Sequence, residues 1–147
     1  MEVHGKIVEG HGVASGRSGD PRFPSGTLGL QWKYFEELGL DLSGIYKGTI
    51  NISVEPLTPK PIKALHTFRE IRWHPECPAE DFSFFEVRIQ VEGTESVRGY
   101  IYWPHPETKP EHFQDPHVVE ILAPKLSGIR SGAVAQLTFD PESICFG

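Results

Sequence analysis

Residues 82–104, FSFFEVRIQVEGTESVRGYIYWP, constrain the fold of this chain more than any other stretch. Phe85, Val87, Ile89 and Val91 alternate with Glu86, Arg88 and Gln90, which is the period-two pattern of a strand with one face on a core. EGTES reads as a turn, and VRGYIYWP as the hairpin partner of the first strand. Fifteen glycines and thirteen prolines are spread over 147 residues, a density that suits short strands and many turns rather than long helices. Nine Phe, four Tyr and three Trp provide material for a packed interior, and the length suits one domain spanning residues 1–147.

The remaining elements fit the same picture. EVHGKIVEG predicts a first strand through Val3, Gly5 and Ile7. A long Gly-, Ser- and Pro-rich loop follows, HGVASGRSGDPRFPSGT, carrying Arg17 and Arg22. LQWKYFEELGLDL is the clear helical pattern: Leu30, Tyr34, Leu38 and Phe35 are expected to form the apolar stripe, and Gly39 the stop. GTINISVEP predicts a strand ended by Pro56, and IKALHTFREIRW reads either as one strand or as a strand and turn. HVVEILAP fits a strand or a short helix, and AVAQLTF closes the sheet. About six strands, one helix and no βαβ alternation point to a small β-barrel.

Net charge −6 argues against a nucleic-acid backbone as partner, because such binding needs clustered Lys and Arg. Cys77 and Cys145, the two cysteines, do not make a disulfide scaffold and read as reduced thiols. MEVHGKIVEG carries no apolar signal core and no run approaches a membrane span, so a soluble, cytoplasmic protein is expected.

Four groups of residues could carry chemistry. In the loop from Gly10 to Arg22, glycines would let backbone N–H groups approach an anion, and Arg17 and Arg22 could add charge. Its spacing matches neither the dinucleotide fingerprint nor the Walker A loop, and on its own it reads as a connection. Thr49 and Asn51 are two apart, so in a strand they share a face. A hydroxyl and an amide oxygen suit Mg²⁺, though a strand entrance with a locally bonded Asn uses the same residues. His105, His112 and His117, with Glu107, Glu111 and Glu120, include Zn and Fe ligand types, but the spacing is not H-E-x-x-H and the prolines favour a solvated loop. HPEC, His74 to Cys77, lacks the second half of the zinc-deaminase signature. Glu120, set among Val118, Val119, Ile121 and Leu122, either meets a ligand's donor or points outward from an edge strand.

The order of these motifs resembles the archaeal CTP-dependent riboflavin kinases. The residues that carry the resemblance are VEGHG (Val8 to Gly12), FEELGLDLSGIYKGTINI (Phe35 to Ile52), RGYIYWP (Arg98 to Pro104) and HVVEILAP (His117 to Pro124), in order from about Gly5 to Leu137. The resemblance implies a six-stranded cradle-loop (RIFT-type) barrel with one short helix. It also implies transfer of the γ-phosphoryl group of CTP to the riboflavin 5′-hydroxyl, giving FMN and CDP. By the same resemblance, Thr49 and Asn51 would hold Mg²⁺, and Thr108 and Glu120 the flavin. Gly10, His11, Gly12, Val13, Ala14 and Ser15, helped by Arg17, would hold the nucleotide together with Lys125, Leu126 and Ser127.

This chain departs from the family pattern in three places. The loop after Gly12 is longer than the family's compact form, and Phe23 or Phe35 could fill its aromatic position. The His105–Pro116 segment is expanded. The stretch after Pro124 has no Leu-Arg, with Lys125 or Arg130 as substitutes. A barrel that binds a flavin or nucleotide without catalysis, and a metal enzyme using His105, His112 and His117, are the competing expectations.

Overall fold

The computed structural model describes residues 1–8, 27–108, 115–126 and 129–147. Among them the elements run β1 (Glu2–Val8), α1 (Thr27–Glu37), β2 (Ile50–Ser53), β3 (Pro59–Pro61), β4 (His66–Ile71), β5 (Glu80–Val91), β6 (Val97–Pro104), β7 (Val118–Leu122), β8 (Val134–Phe139) and β9 (Ile144–Phe146). Six strands close into an antiparallel barrel in the order β5-β6-β7-β2-β1-β8, with β8 returning to β5. β4 lies outside the ring on β5, and β3 pairs with β9 in a separate two-stranded ribbon. The expected barrel with one short helix is therefore observed among the described residues, with β3, β4 and β9 added to the ring.

The alternation along β5 divides two apolar layers. Phe85, Val87, Ile89 and Val91 point into the barrel, where Ile7, Ile52, Ile101, Val119, Ile121 and Leu137 meet them. Phe82 and Phe84 point the other way, into a second layer outside the ring formed with Leu28, Trp32 and Phe35 of α1, Leu40, Leu42, Phe68 and Tyr102. The aromatic run FSFF at the start of β5 is thus apolar on both faces because helix α1 and β4 cover the outside there.

The structure corrects the expected apolar stripe of the helix and agrees with its expected stop. Its buried face is Leu28, Gln31, Trp32 and Phe35, whereas Leu38 is 50% exposed and Leu30 and Tyr34 are only half-buried. The helix ends at Glu37, with Gly39 as the expected stop. The cause is the cap. Gly39, at φ 104°, donates to the Glu36 carbonyl and Leu40 N donates to the Phe35 carbonyl, the paired bonds of a Schellman motif. The reversal buries Leu40 beside Phe35 and leaves Leu38 outside.

Ring closure between β6 and β7 depends on one glycine. A Cβ at Gly99 would run into the backbone carbonyl of Leu122 across the strand pair. Gly99→Ala is expected to lower unfolding stability by about 1–3 kcal/mol, the usual range for overpacking a tight site. Urea denaturation measures it, and an unchanged midpoint would show that the two strands separate freely.

Candidate functional site

The outward face of the barrel carries a row of residues one position out of phase with the apolar interior. Ile50, Ile121, Ile101 and Phe85 are register partners across β2, β7, β6 and β5, and they face the core. The next row is Val8, Asn51, Glu120, Tyr102 and Phe84, running across β1, β2, β7, β6 and β5. Period-two pleating therefore puts Asn51 and Glu120 side by side on the outside, at the border of the layer under α1. Thr49 lies two residues before Asn51, and its Oγ1 donates to Glu120 Oε1 at 3.2 Å. Thr49, Asn51 and Glu120 are all half-buried. Three residues singled out from the sequence on separate grounds are thus neighbours. β7 lies between β6 and β2, so Glu120 is not on an edge strand.

The row is fixed from beneath. Tyr102 is buried, and its hydroxyl donates to Oε1 of the buried Gln31 of α1 at 2.6 Å. Burial pushes the Tyr102 phenol well above its ordinary range; the carboxylates of Glu120 and Glu80 push it further, against the Gln31 bond. Tyr102 is consequently a neutral hydrogen-bond donor, and the buried hydroxyl and amide satisfy one another. The row ends at Val8, the last residue of β1, from which the Gly-rich segment departs; the chain resumes as α1, which carries Gln31.

A basic and aromatic flank adjoins Thr49. Tyr46 is 52% exposed, and its backbone N–H donates to the Ala123 carbonyl at 3.0 Å, tying the segment before Thr49 to the end of β7. Lys125 is exposed, with Nζ 5.9 Å from the Tyr46 ring centre. Lys47 Nζ is 5.5 Å from the ring centre of Trp32. Leu126 leans on the barrel core, so its side chain is a packing group.

Thr108 belongs to a different set of contacts. Its Oγ1 accepts from Asp81 N at 3.0 Å and donates to the His105 carbonyl at 3.2 Å. His105 in turn meets Ser83 Oγ through Nε2 at 2.6 Å and Glu107 through Nδ1 at 3.2 Å. His117 Nδ1 donates to the Leu57 carbonyl at 2.8 Å. His74 Nδ1 accepts from Glu76 N, as part of a turn. Among the described residues no group of three or more His, Cys, Asp or Glu side chains is gathered in a way that could hold a metal ion. Gly10, His11, Gly12, Val13, Ala14, Ser15, Arg17, Arg22, Phe23, Glu111, His112 and Ser127 lie outside the described residues.

Sequence reasoning missed Gln31, Tyr46, Lys47 and Tyr102 as parts of this region. One signal was readable: Gln31 is a polar residue three after Leu28 and four before Phe35, in the middle of what proves to be the buried helix face. Among the described residues no helix is long and apolar enough to cross a membrane. A scan against protein-family models found no matching family, and a search of curated proteins found no match.

Proposed function

We propose that this protein is a riboflavin kinase of the CTP-dependent, cradle-loop type, moving the γ-phosphoryl group of CTP to the 5′-hydroxyl of riboflavin and leaving FMN and CDP. One observation carries the reading: Thr49, Asn51 and Glu120 form one polar cluster on the outer barrel face, in register with Val8, where the Gly-rich segment begins. Phosphoryl transfer depends on in-line positioning and neutralised phosphate charge more than on covalent chemistry by the protein. A cluster of oxygen donors beside a Gly-rich connection and two lysines suits that demand.

The donor set fits Mg²⁺, a hard cation that takes oxygen ligands and keeps waters and phosphate oxygens as its others. Thr49 Oγ1 and the Asn51 side-chain oxygen are the groups to hold it, and bound there it would offset phosphate charge. Glu120 orients the acceptor by accepting from riboflavin hydroxyl or N–H groups, and Thr49 donates to the same carboxylate. Tyr102 and Gln31 form a buried support beside Glu120. Lys125 and Lys47, with Arg17 and the backbone N–H groups of residues 10–15, meet the nucleotide, and Ser127 continues that side.

The test is incubation with riboflavin, Mg²⁺ and each of CTP, ATP, GTP and UTP, read as FMN on a fluorescence-detected column. FMN is expected with CTP above the other three. No FMN with any of the four would overturn the kinase reading.

A further inference from the structure

We propose that Tyr46 is the stacking platform for the base of the nucleoside triphosphate, with Lys125 and Lys47 beside it to meet the phosphates. The inference rests on the kinase reading and names a residue for which neither that reading nor the motif resemblance supplies a role.

Tyr46 belongs to neither apolar layer, and about half of its surface is open to solvent. A single exposed aromatic needs no explanation by itself. Its surroundings supply one. The backbone around it is held on both sides: Tyr46 N donates to the Ala123 carbonyl at 3.0 Å, and Gly48 N donates to the Tyr46 carbonyl at 2.9 Å. That second bond closes a three-residue turn, so the ring projects from a constrained backbone three residues before Thr49. A rigid ring with few rotatable bonds loses little entropy when a planar partner stacks on it.

The charges nearby choose between the two substrates. Lys125 Nζ lies 5.9 Å from the Tyr46 ring centre, and the adjacent Lys47 is held 5.5 Å from Trp32. One ammonium group over an exposed ring, with a second lysine on the next residue of the chain, suits a ligand that joins an aromatic base to several negative charges. Riboflavin is aromatic but uncharged, so it offers the lysines only neutral hydrogen-bond acceptors. The nucleotide uses both features. When the base covers the ring, the Lys125 ammonium moves from the ring to the phosphates, exchanging a weak cation–π contact for a charge-assisted one.

Calorimetric titration of CTP with Mg²⁺ into wild type, Tyr46→Phe, Tyr46→Leu and Tyr46→Ala tests this, with riboflavin titrated in parallel. Tyr46→Phe keeps the ring and should bind CTP within about two-fold of wild type. Leu and Ala should each weaken CTP binding about ten-fold or more, the usual scale for losing one aromatic–base stack, with riboflavin affinity unchanged. In turnover the loss should appear in the KM for CTP and not in kcat. Tyr46→Ala binding CTP as tightly as wild type would overturn the platform while the kinase reading stands. Loss of riboflavin affinity in its place would also overturn it, by giving the ring to the other substrate. Wild type binding none of the four nucleotides would remove the kinase reading, and the platform with it.

Discussion

On the proposed kinase function, Asn51→Ala is expected to lower FMN formation by at least about 100-fold while the barrel stays folded. Removing even the outer partners of a metal ligand costs about 10- to 100-fold in metal affinity or activity, and loss of a ligand itself should exceed that. The fold should survive because Asn51 is half-buried on the outside of β2, one step out of phase with the interior residues Ile50 and Ile52. In strand propensity an Ala there costs no more than about 1 kcal/mol. Thr49 gives a paired control. Thr49→Ser keeps the hydroxyl that faces Glu120 and should stay within about ten-fold of wild type, whereas the near-isosteric Thr49→Val should fall with Asn51→Ala. Steady-state FMN production measures turnover, and far-ultraviolet circular dichroism measures the fold. Full activity in Asn51→Ala would refute the metal role of this pair.

The cluster was partly legible in the sequence for a simple reason. Thr49 and Asn51 are two residues apart on a strand, and period two places them on one face whatever the strand pairs with. The pairing itself was not legible. Glu120 lies 71 residues after Thr49, and local patterning sets no register between strands so far apart. The same gap hid Tyr102 and Gln31, also 71 residues apart, although each sits in a stretch whose secondary structure was readable. Glu120 was open between a ligand-facing and an edge-strand position. Ring closure decides against the edge by placing β7 between β6 and β2.

The fold shows where patterning reaches and where it stops. The half of β5 from Phe85 to Val91 was readable because Glu86, Arg88 and Gln90 mark an exposed face opposite four buried apolar positions, whereas its start at Glu80 lies two residues before the expected stretch. Helix α1 was harder, because it is apolar on two sides. Leu30, Tyr34 and Leu38 fit the helical period as well as Leu28, Trp32 and Phe35 do, and the two stripes lie about 130° apart round the helix. What separates them is tertiary: the Gly39 cap turns Leu40 onto Phe35, and the layer under the helix is built from Phe82, Phe84 and Tyr102. β9 is a three-residue strand whose one strand partner among the described residues is β3, itself three residues with a proline at each end, and nothing local announces such a ribbon.

Phe35→Ala is expected to remove about 3–5 kcal/mol of stability, the range for deleting a fully buried Phe, and so a large share of the roughly 5–15 kcal/mol typical of a domain. Phe35 is completely buried at the centre of the outer layer. Its ring meets Phe84 edge-on at 4.8 Å and Phe82 edge-on at 5.1 Å, with Phe68 stacked at 6.1 Å and Tyr102 at 6.3 Å. Ala would leave all four rings facing a void too enclosed to collapse. The same contacts hold α1 against the barrel, and α1 carries Gln31, the partner of the Tyr102 hydroxyl beside Glu120. On the proposed function, activity should therefore fall even at temperatures where Phe35→Ala remains folded, with riboflavin KM rising as the support beside Glu120 loosens. Phe35→Leu, which refills part of the volume, should recover part of both losses. Urea denaturation gives the stability change, and FMN kinetics at a temperature well below the transition gives the other. A loss under about 1 kcal/mol would show that α1 is not held by this ring. Normal kinetics in a clearly destabilised Phe35→Ala would show that the helix stabilises the barrel without shaping the site.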